Sequence, residues 1–233
     1  MHPLDTPIWN SLHAGWAALA QGDAQVVRLD PDHGPFAATA TAAPAEMAAL
    51  AALIPPGGEL WLLGRDALMP APAGVLVQRT AMLAQMVADR PVAACDDGLD
   101  WRELDEADAP DMLALALLTR PGPFRARTHG LGRFIGVREC GRLIAMAGER
   151  MRMPGYAEVS GVCTHPDFRG RGLAGRLMRQ VMQTMQARGE TPFLHAYASH
   201  ENTIALYRTL GFEVRAELPM RVLNSAVGRA GAL

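Results

Sequence analysis

Apolar positions along the chain change period from one stretch to the next, and the changes predict alternating helices and strands. Trp9, Leu12, Trp16 and Leu19 recur at spacings of three and four, which places them on one face of a helix. Thr6-Pro7 supplies its start, a capping hydroxyl followed by proline at the first helical position. Core packing is the role that spacing gives the two tryptophans. Residues 25–29 read as a short strand. Residues 44–54 read as an alanine-rich helix stopped by Pro55-Pro56 and Gly57-Gly58. Residues 60–63 and 75–77 have the continuous apolar character of buried strands, and 82–87 that of another helix.

Proline, glycine and the pair Asp96-Asp97 interrupt the pattern between residues 90 and 100, so a domain junction is expected there. The expected division is a smaller α/β domain over 1–95 and a second domain over 96–233. The second part is more sharply punctuated. A strand over 101–104 precedes a helix capped at Asp108, with an apolar run at 112–118 that ends before Pro121-Gly122-Pro123. Residues 133–138 and 142–151 are strand candidates joined by a turn at Glu139-Cys140-Gly141, and 156–164 is a third.

The stretch with the most chemical content follows. A strand ends before Pro166, the loop Arg169-Gly170-Arg171-Gly172 comes next, and a helix begins near Leu173-Ala174. Leu173, Leu177, Met178, Val181, Met182 and Met185 share one face of that helix, a core stripe and not a metal site. Such a strand–loop–helix gathers unpaired backbone N–H groups at the positive end of a helix dipole, a suitable nest for a phosphate or pyrophosphate. Glycines let the backbone approach a ligand closely, and Arg169 and Arg171 add charge from the side. Two rival phosphate loops bear on this reading. A Walker-type loop needs Gly-Lys-Ser/Thr, and the chain contains no lysine. The dinucleotide fingerprint finds its three glycines in Gly170, Gly172 and Gly175, but its acidic residue is misplaced, because Glu190 precedes the next strand.

Composition narrows the partners. A formal net charge of −2 over 233 residues gives no basic field for nucleic acid or an anionic membrane. The longest greasy run, 47–54, is too short to span a bilayer. No basic stretch followed by an apolar run opens the chain, so a soluble cytoplasmic protein is expected. Cys95, Cys140 and Cys163 are odd in number and widely spaced, which fits reduced thiols and no metal site.

Arg169-Gly170-Arg171-Gly172-Leu173-Ala174 resembles the Gln/Arg-x-x-Gly-x-Gly/Ala loop of the GNAT N-acetyltransferase superfamily, with the expected strand before it and helix after it. Ile204-Ala205-Leu206-Tyr207-Arg208-Thr209-Leu210-Gly211-Phe212 is similar to that superfamily's second signature, a helix ending in Leu-Tyr followed by Gly-Phe and a last strand. Pro121-Gly122-Pro123-Phe124 and the run 158–166 further resemble a bacterial branch with a glycine-N-acyltransferase-like C-terminal domain. The resemblance covers 101 to about 223.

It implies a mixed-sheet α/β fold, a GNAT acyltransferase domain preceded by a smaller α/β domain that is itself a degenerate GNAT-like unit. It also implies acetyl-CoA as co-substrate, lying between two splayed parallel strands, and transfer to a primary amine of a small molecule or peptide by direct attack in a ternary complex. Val162, Cys163 and Thr164 would pair by their backbone with the pantetheine arm. Arg169, Gly170, Arg171, Gly172, Leu173 and Ala174 would hold the pyrophosphate. Tyr207 would protonate the departing thiolate, a chemically sensible pairing because a thiol titrates near about 8.5 and a phenol near about 10. Glu158 and His195 are the candidates for the general base, with strand alternation putting Glu158, Ser160 and Val162 on one face. Relatives carry an asparagine seven residues before the tyrosine. Here that position is His200, and Asn202 lies five before, so either is a candidate pantetheine contact. The alternative is an acyl-CoA-binding sensor without turnover.

Overall fold

The computed structural model describes residues 2–92 and 98–225. Its elements in chain order are α1 (Pro7–Leu12), β1 (Ala20–Gly22), β2 (Val26–Leu29), β3 (Ala37–Thr39), α2 (Pro44–Ala52), β4 (Glu59–Leu63), α3 (Arg65–Leu68) and β5 (Val75–Val87). After these come β6 (Arg102–Leu104), α4 (Ala109–Thr119), β7 (Phe134–Glu139), β8 (Arg142–Met153) and β9 (Tyr156–Thr164). The chain continues through α5 (Leu173–Ala187), β10 (Thr191–Tyr197), α6 (Glu201–Thr209) and β11 (Glu213–Ser225). Strands β1, β2 and β3 form a small antiparallel sheet, and the other eight form one sheet in the order β4-β11-β5-β10-β9-β8-β7-β6. Among the described residues a single bridge, Phe36 to Trp61, joins the two.

Both faces of the large sheet are covered around β8, β9 and β10, while β5 is exposed from Leu76 to Thr80. Leu177, Met178, Val181, Met182 and Met185 of α5 pack on Ala157, Val159 and Leu194, as the apolar stripe of that helix predicts. The opposite face presents Phe193, Met151, Met153 and Met220 to Leu4, Ile8, Leu12 and Trp16 of the N-terminal segment. Farther along that face, Met112, Leu115 and Ala116 of α4 close over Phe134, Met146 and Cys163. Alternation along a strand explains the partition, since Phe193 and Leu194 are neighbours that face opposite ways.

Several expectations change. Helix α1 stops at Leu12, a turn intervenes, and a separate 3-10 turn covers Ala17–Leu19. The reason lies at Gly15: its N–H donates to the Arg152 carbonyl (3.1 Å), and a Cβ there would sit 2.8 Å from Arg152. The chain must leave the helix to make that approach. Trp16 is then fully buried, stacked on Phe36 with its indole N–H donating to the Arg150 carbonyl (2.8 Å). Thr6 makes no side-chain cap, although Pro7 does take the first helical position. Residues 82–87 are strand, not helix. A six-residue run that is apolar but for Gln85 carries no period that separates the two, and antiparallel pairing with both β10 and β11 decides the matter.

The boundary expected at 95/96 does not separate two sheets. Strand β5 precedes it in sequence, yet lies between β10 and β11, both of which follow it. Residues 93–97, within the expected junction, lie outside the described residues.

Candidate active site

Strands β9 and β10 run parallel and pair only at Tyr156–Thr191, Ala157–Pro192 and Glu158–Phe193. Beyond Glu158 they part. On its other edge β9 stays paired with β8 as far as Thr164, while β10 continues against β5 as far as Tyr197. The edge of β9 that faces β10 is therefore left without a strand partner from Val159 to Thr164, an extended backbone able to accept another extended chain.

A bulge lies in this stretch. Between Met146–Cys163 and Gly148–Ser160 the register slips by one residue, and Gly161 adopts φ +62°. A Cβ on Gly161 would lie 2.6 Å from the Phe134 ring, so both the left-handed backbone and the packing require glycine. The slip reverses the alternation. Val162 turns to the α5 side with Val159, and Cys163 to the α4 side with Met146. This corrects the expectation that Val162 shares a face with Glu158 and Ser160.

A cleft of about 690 Å³ opens at the parted end. Its walls bring together Val162, Cys163 and Thr164 from β9, the loop Arg169-Gly170-Arg171-Gly172-Leu173-Ala174, and Tyr207 from α6. Gly170 and Gly172 have φ of +78° and +71°, and apart from their chain neighbours no protein atom lies within 4 Å of where a Cβ would be. Their requirement is thus a left-handed backbone around an open space, not crowding by the protein. Gly172 caps α5 without any side-chain cap, and the first bond of the helix is that from the Arg176 N–H to the Gly172 carbonyl. The N–H groups of Leu173, Ala174 and Gly175 precede it, so they point out of the helix start at the positive end of its dipole. Arg171 lies against Glu139 (2.9 Å) and over the Phe168 ring.

Tyr207 is half-buried in the cleft wall, and burial pushes its phenol above the usual tyrosine value. A phenol so displaced keeps its proton at neutral pH and can offer it as a hydrogen bond. Cys163 is buried, and burial pushes its thiol up to about 11, the wrong direction for a nucleophile.

Glu158 and His195 come together, but away from the cleft wall. Glu158 is 1% exposed, and Arg150 donates to both its oxygens at 2.8 Å. His195 Nδ1 lies 2.8 Å from Glu158 Oε1. Burial acts to raise this carboxyl, but Arg150 and His195 outweigh it and hold it down at about 2. The imidazole is fixed from its other side too. Gln85 Oε1 accepts from Arg215 Nε (2.7 Å), and Gln85 Nε2 donates to the Leu4 carbonyl (2.9 Å). The amide is thereby oriented so that Nε2 donates to His195 Nε2 (3.0 Å), leaving Nδ1–H to donate to Glu158. Arg215 in turn holds Asp5 at 2.7 Å. A chain of polar groups, buried at Gln85, His195 and Glu158 and half-exposed at Asp5, thus runs from the N-terminal segment to the point where the strands part.

His200 and Asn202 do not line the cleft; they border a separate shallow depression, and Thr203 takes the place on the cleft wall. Thr203 stands four residues before Tyr207, one helical turn away on the same face, a signal the sequence offered. Thr119 and Pro121 at the end of α4, and Arg179 in α5, also line the cleft. The helical spacing Gly172–Arg176–Arg179 hinted at Arg179, whereas nothing local marked Thr119. Among the described residues no cluster of three or more His, Cys, Asp or Glu is placed to hold a metal, and no helix is long and apolar enough to cross a membrane.

Comparison with known proteins agrees with this geometry. Residues 134–221 match the family model described as FR47-like protein. Over 83 residues the chain is 34% identical to the N-alpha-acetyltransferase RimI of Mycobacterium tuberculosis, a stretch covering 34% of this chain and only 51% of that protein. A GCN5-related N-acetyltransferase structure from Kribbella flavida shares the fold at 19% identity and a TM-score of 0.64, over 99% of this chain and 98% of the other. A GNAT-family structure from Novosphingobium aromaticivorans is 49% identical, with a TM-score of 0.90, over 97% of this chain and 99% of the other. With half of its residues shared over nearly the full length of that relative, the chain belongs to the GNAT family of acetyltransferases.

Proposed function

We propose that the protein moves an acetyl group from acetyl-CoA to a primary amine by direct attack within a ternary complex. The observation that carries the reading is the parting of β9 from β10 after Glu158–Phe193, beside outward-pointing amides at the start of α5. The pantetheine arm would lie along Val162, Cys163 and Thr164, and the diphosphate against the loop from Arg169 to Ala174. Each charge-assisted hydrogen bond at such a loop contributes about 1.5–3 kcal/mol, so a few suffice to place the thioester.

In the reaction the amine nitrogen attacks the thioester carbonyl carbon, the C–S bond breaks, and the CoA thiolate takes the Tyr207 proton, which solvent then replaces. The amine sheds its own proton to water. A carboxylate held at about 2 by Arg150 is a weak proton acceptor, so Glu158 and His195 act as a positioning pair at the fork of the strands. We assign the acceptor side to the face covered by the N-terminal segment. Reading residues 1–95 as a reduced GNAT-like unit rests on their alternating elements and the two strands, β4 and β5, that they contribute to the large sheet. A glycine-N-acyltransferase-like character for the C-terminal part rests on Pro121-Gly122-Pro123-Phe124 and the run 158–166.

Single-turnover transfer from acetyl-CoA to a panel of primary amines tests the reading. Transfer should be detected, and Tyr207→Phe should slow it by about 10²-fold while CoA still binds. CoA binding without transfer above the solvent rate would leave the protein a sensor.

A further inference from the structure

A second cavity, of about 650 Å³, lies at the other end of β9. Its walls are the N-terminal segment, the end of β3 with Arg65 of α3, and Met153-Pro154 in the turn between β8 and β9. Eight residues of extended strand, roughly 26 Å, separate Tyr156 at this end from Thr164 in the cofactor cleft, so the two spaces do not merge. The volume falls within the range of about 300–1,000 Å³ usual for small-molecule sites.

The lining is cationic on one side and apolar on the other. Arg65 is held in place by two hydrogen bonds from Nη2, to the carbonyls of Thr39 (3.1 Å) and Ala40 (2.9 Å). Its buried Nε makes no hydrogen bond but is ion-paired with Asp66 at 3.5 Å, a carboxylate shared with the Thr39 N–H and hydroxyl. His13 Nδ1 is turned to the Trp9 carbonyl (2.9 Å), with the imidazole 4.1 Å from the Trp9 ring. His2 Nδ1 accepts from the Leu4 N–H (3.1 Å). Among the described residues no Asp or Glu lines the space, while Trp9 and Met153 give it an apolar wall. A cationic ligand would find no carboxylate on the wall, and a neutral apolar one would add no charge to the Thr39 and Ala40 carbonyls and the Asp66 carboxylate that already meet the guanidinium.

We propose that this cavity binds a small organic acid, with the carboxylate at Arg65 and its apolar body between Trp9 and Met153. The site does not depend on the acetyl-transfer reading. It is built on the segment whose Leu4 carbonyl and Asp5 carboxylate anchor the polar chain to His195, so an occupant would rest against the outer side of that anchor.

Calorimetry on the full chain with benzoate, its neutral isostere benzamide and the cation benzylamine tests the proposal, with the Trp9 indole N–H followed by NMR. Benzoate should bind at millimolar concentration or below and shift the Trp9 signal, with the other two at least about tenfold weaker. Arg65→Gln should weaken benzoate by about tenfold or more. Because Arg65 also ties Thr39 and Ala40, Ala14→Leu provides a second variant, which fills the space without touching those carbonyls and should abolish binding. No benzoate binding, equal affinity for benzamide, or benzoate affinity unaffected by Ala14→Leu would each overturn the proposal.

Discussion

The loop from Arg169 to Gly175 and the polar chain from Asp5 to Arg150 meet the same fork in the sheet from opposite faces, and they are made in different ways. The loop is local. Its polarity comes from backbone amides and its shape from two glycines at positive φ, with the ion pair of Arg171 to Glu139 added from outside. The polar chain is assembled from side chains drawn from β8, β9, β10, β5, β11 and the N-terminal segment, and each depends on the others for its hydrogen bonds. Damage to the loop should therefore cost ligand affinity, and damage to the chain should cost the fold.

Four measurements would break or sharpen that contrast. The largest effect is expected from deleting residues 1–95. The deletion removes β5 from between β10 and β11 and uncovers Phe193, Met151 and Met220, so the remainder should give no cooperative melting transition. A soluble, cooperatively folded 96–233 fragment would show that the C-terminal part stands alone.

Next is Glu158→Ala, which strands a buried Arg150 and should lower stability by about 3–5 kcal/mol by chemical denaturation. The same pair sets a pH dependence. Glu158 has its folded pKa depressed from 4.5 to about 2, so its contribution is present above about pH 4.5 and is lost as pH falls toward 2. Denaturation curves for the wild type should lose stability across that window, and those for Glu158→Ala should lose less.

Gly172→Asp should act the other way. It places a charge and a Cβ at φ +71°, in the open space before α5. CoA affinity should fall by about tenfold or more by calorimetry, and the melting temperature should change little beside Glu158→Ala. The smallest effect is expected from Arg171→Gln. Arg171 is half exposed and shares its charge with Glu139, so an affinity loss of a few-fold, fading at high salt, is the expected outcome.

The same contrast accounts for what could be read from the chain beforehand. The loop and the α5 stripe were legible because their determinants lie within a few residues: two glycines, then apolar positions at helical spacing. The Tyr207 helix was legible through the resemblance of residues 204–212 to the second superfamily signature. The strand at 82–87 was not, since its form is set by partners on β10 and β11 and its own run of residues has no decisive period. Nor was the reversal at Val162, which depends on Gly161 yielding to the Phe134 ring across the sheet. Glu158 and His195 were visible as chemical groups, but Arg150, Gln85 and Arg215, which fix their protons, are joined to them only by the fold.

Strand β5 carries a consequence for how the molecule is made. Its partners on β11 lie well over a hundred residues later in the chain, so loop closure on that scale must come before the central pairing can form, and refolding should be slow for a protein of this size. During translation β5 leaves the ribosome long before β10 and β11 exist. Until the last strand emerges, Leu76, Val77 and Met82 stand on a hydrogen-bonding edge with nothing to pair with, the interval in which a nascent chain most needs a chaperone.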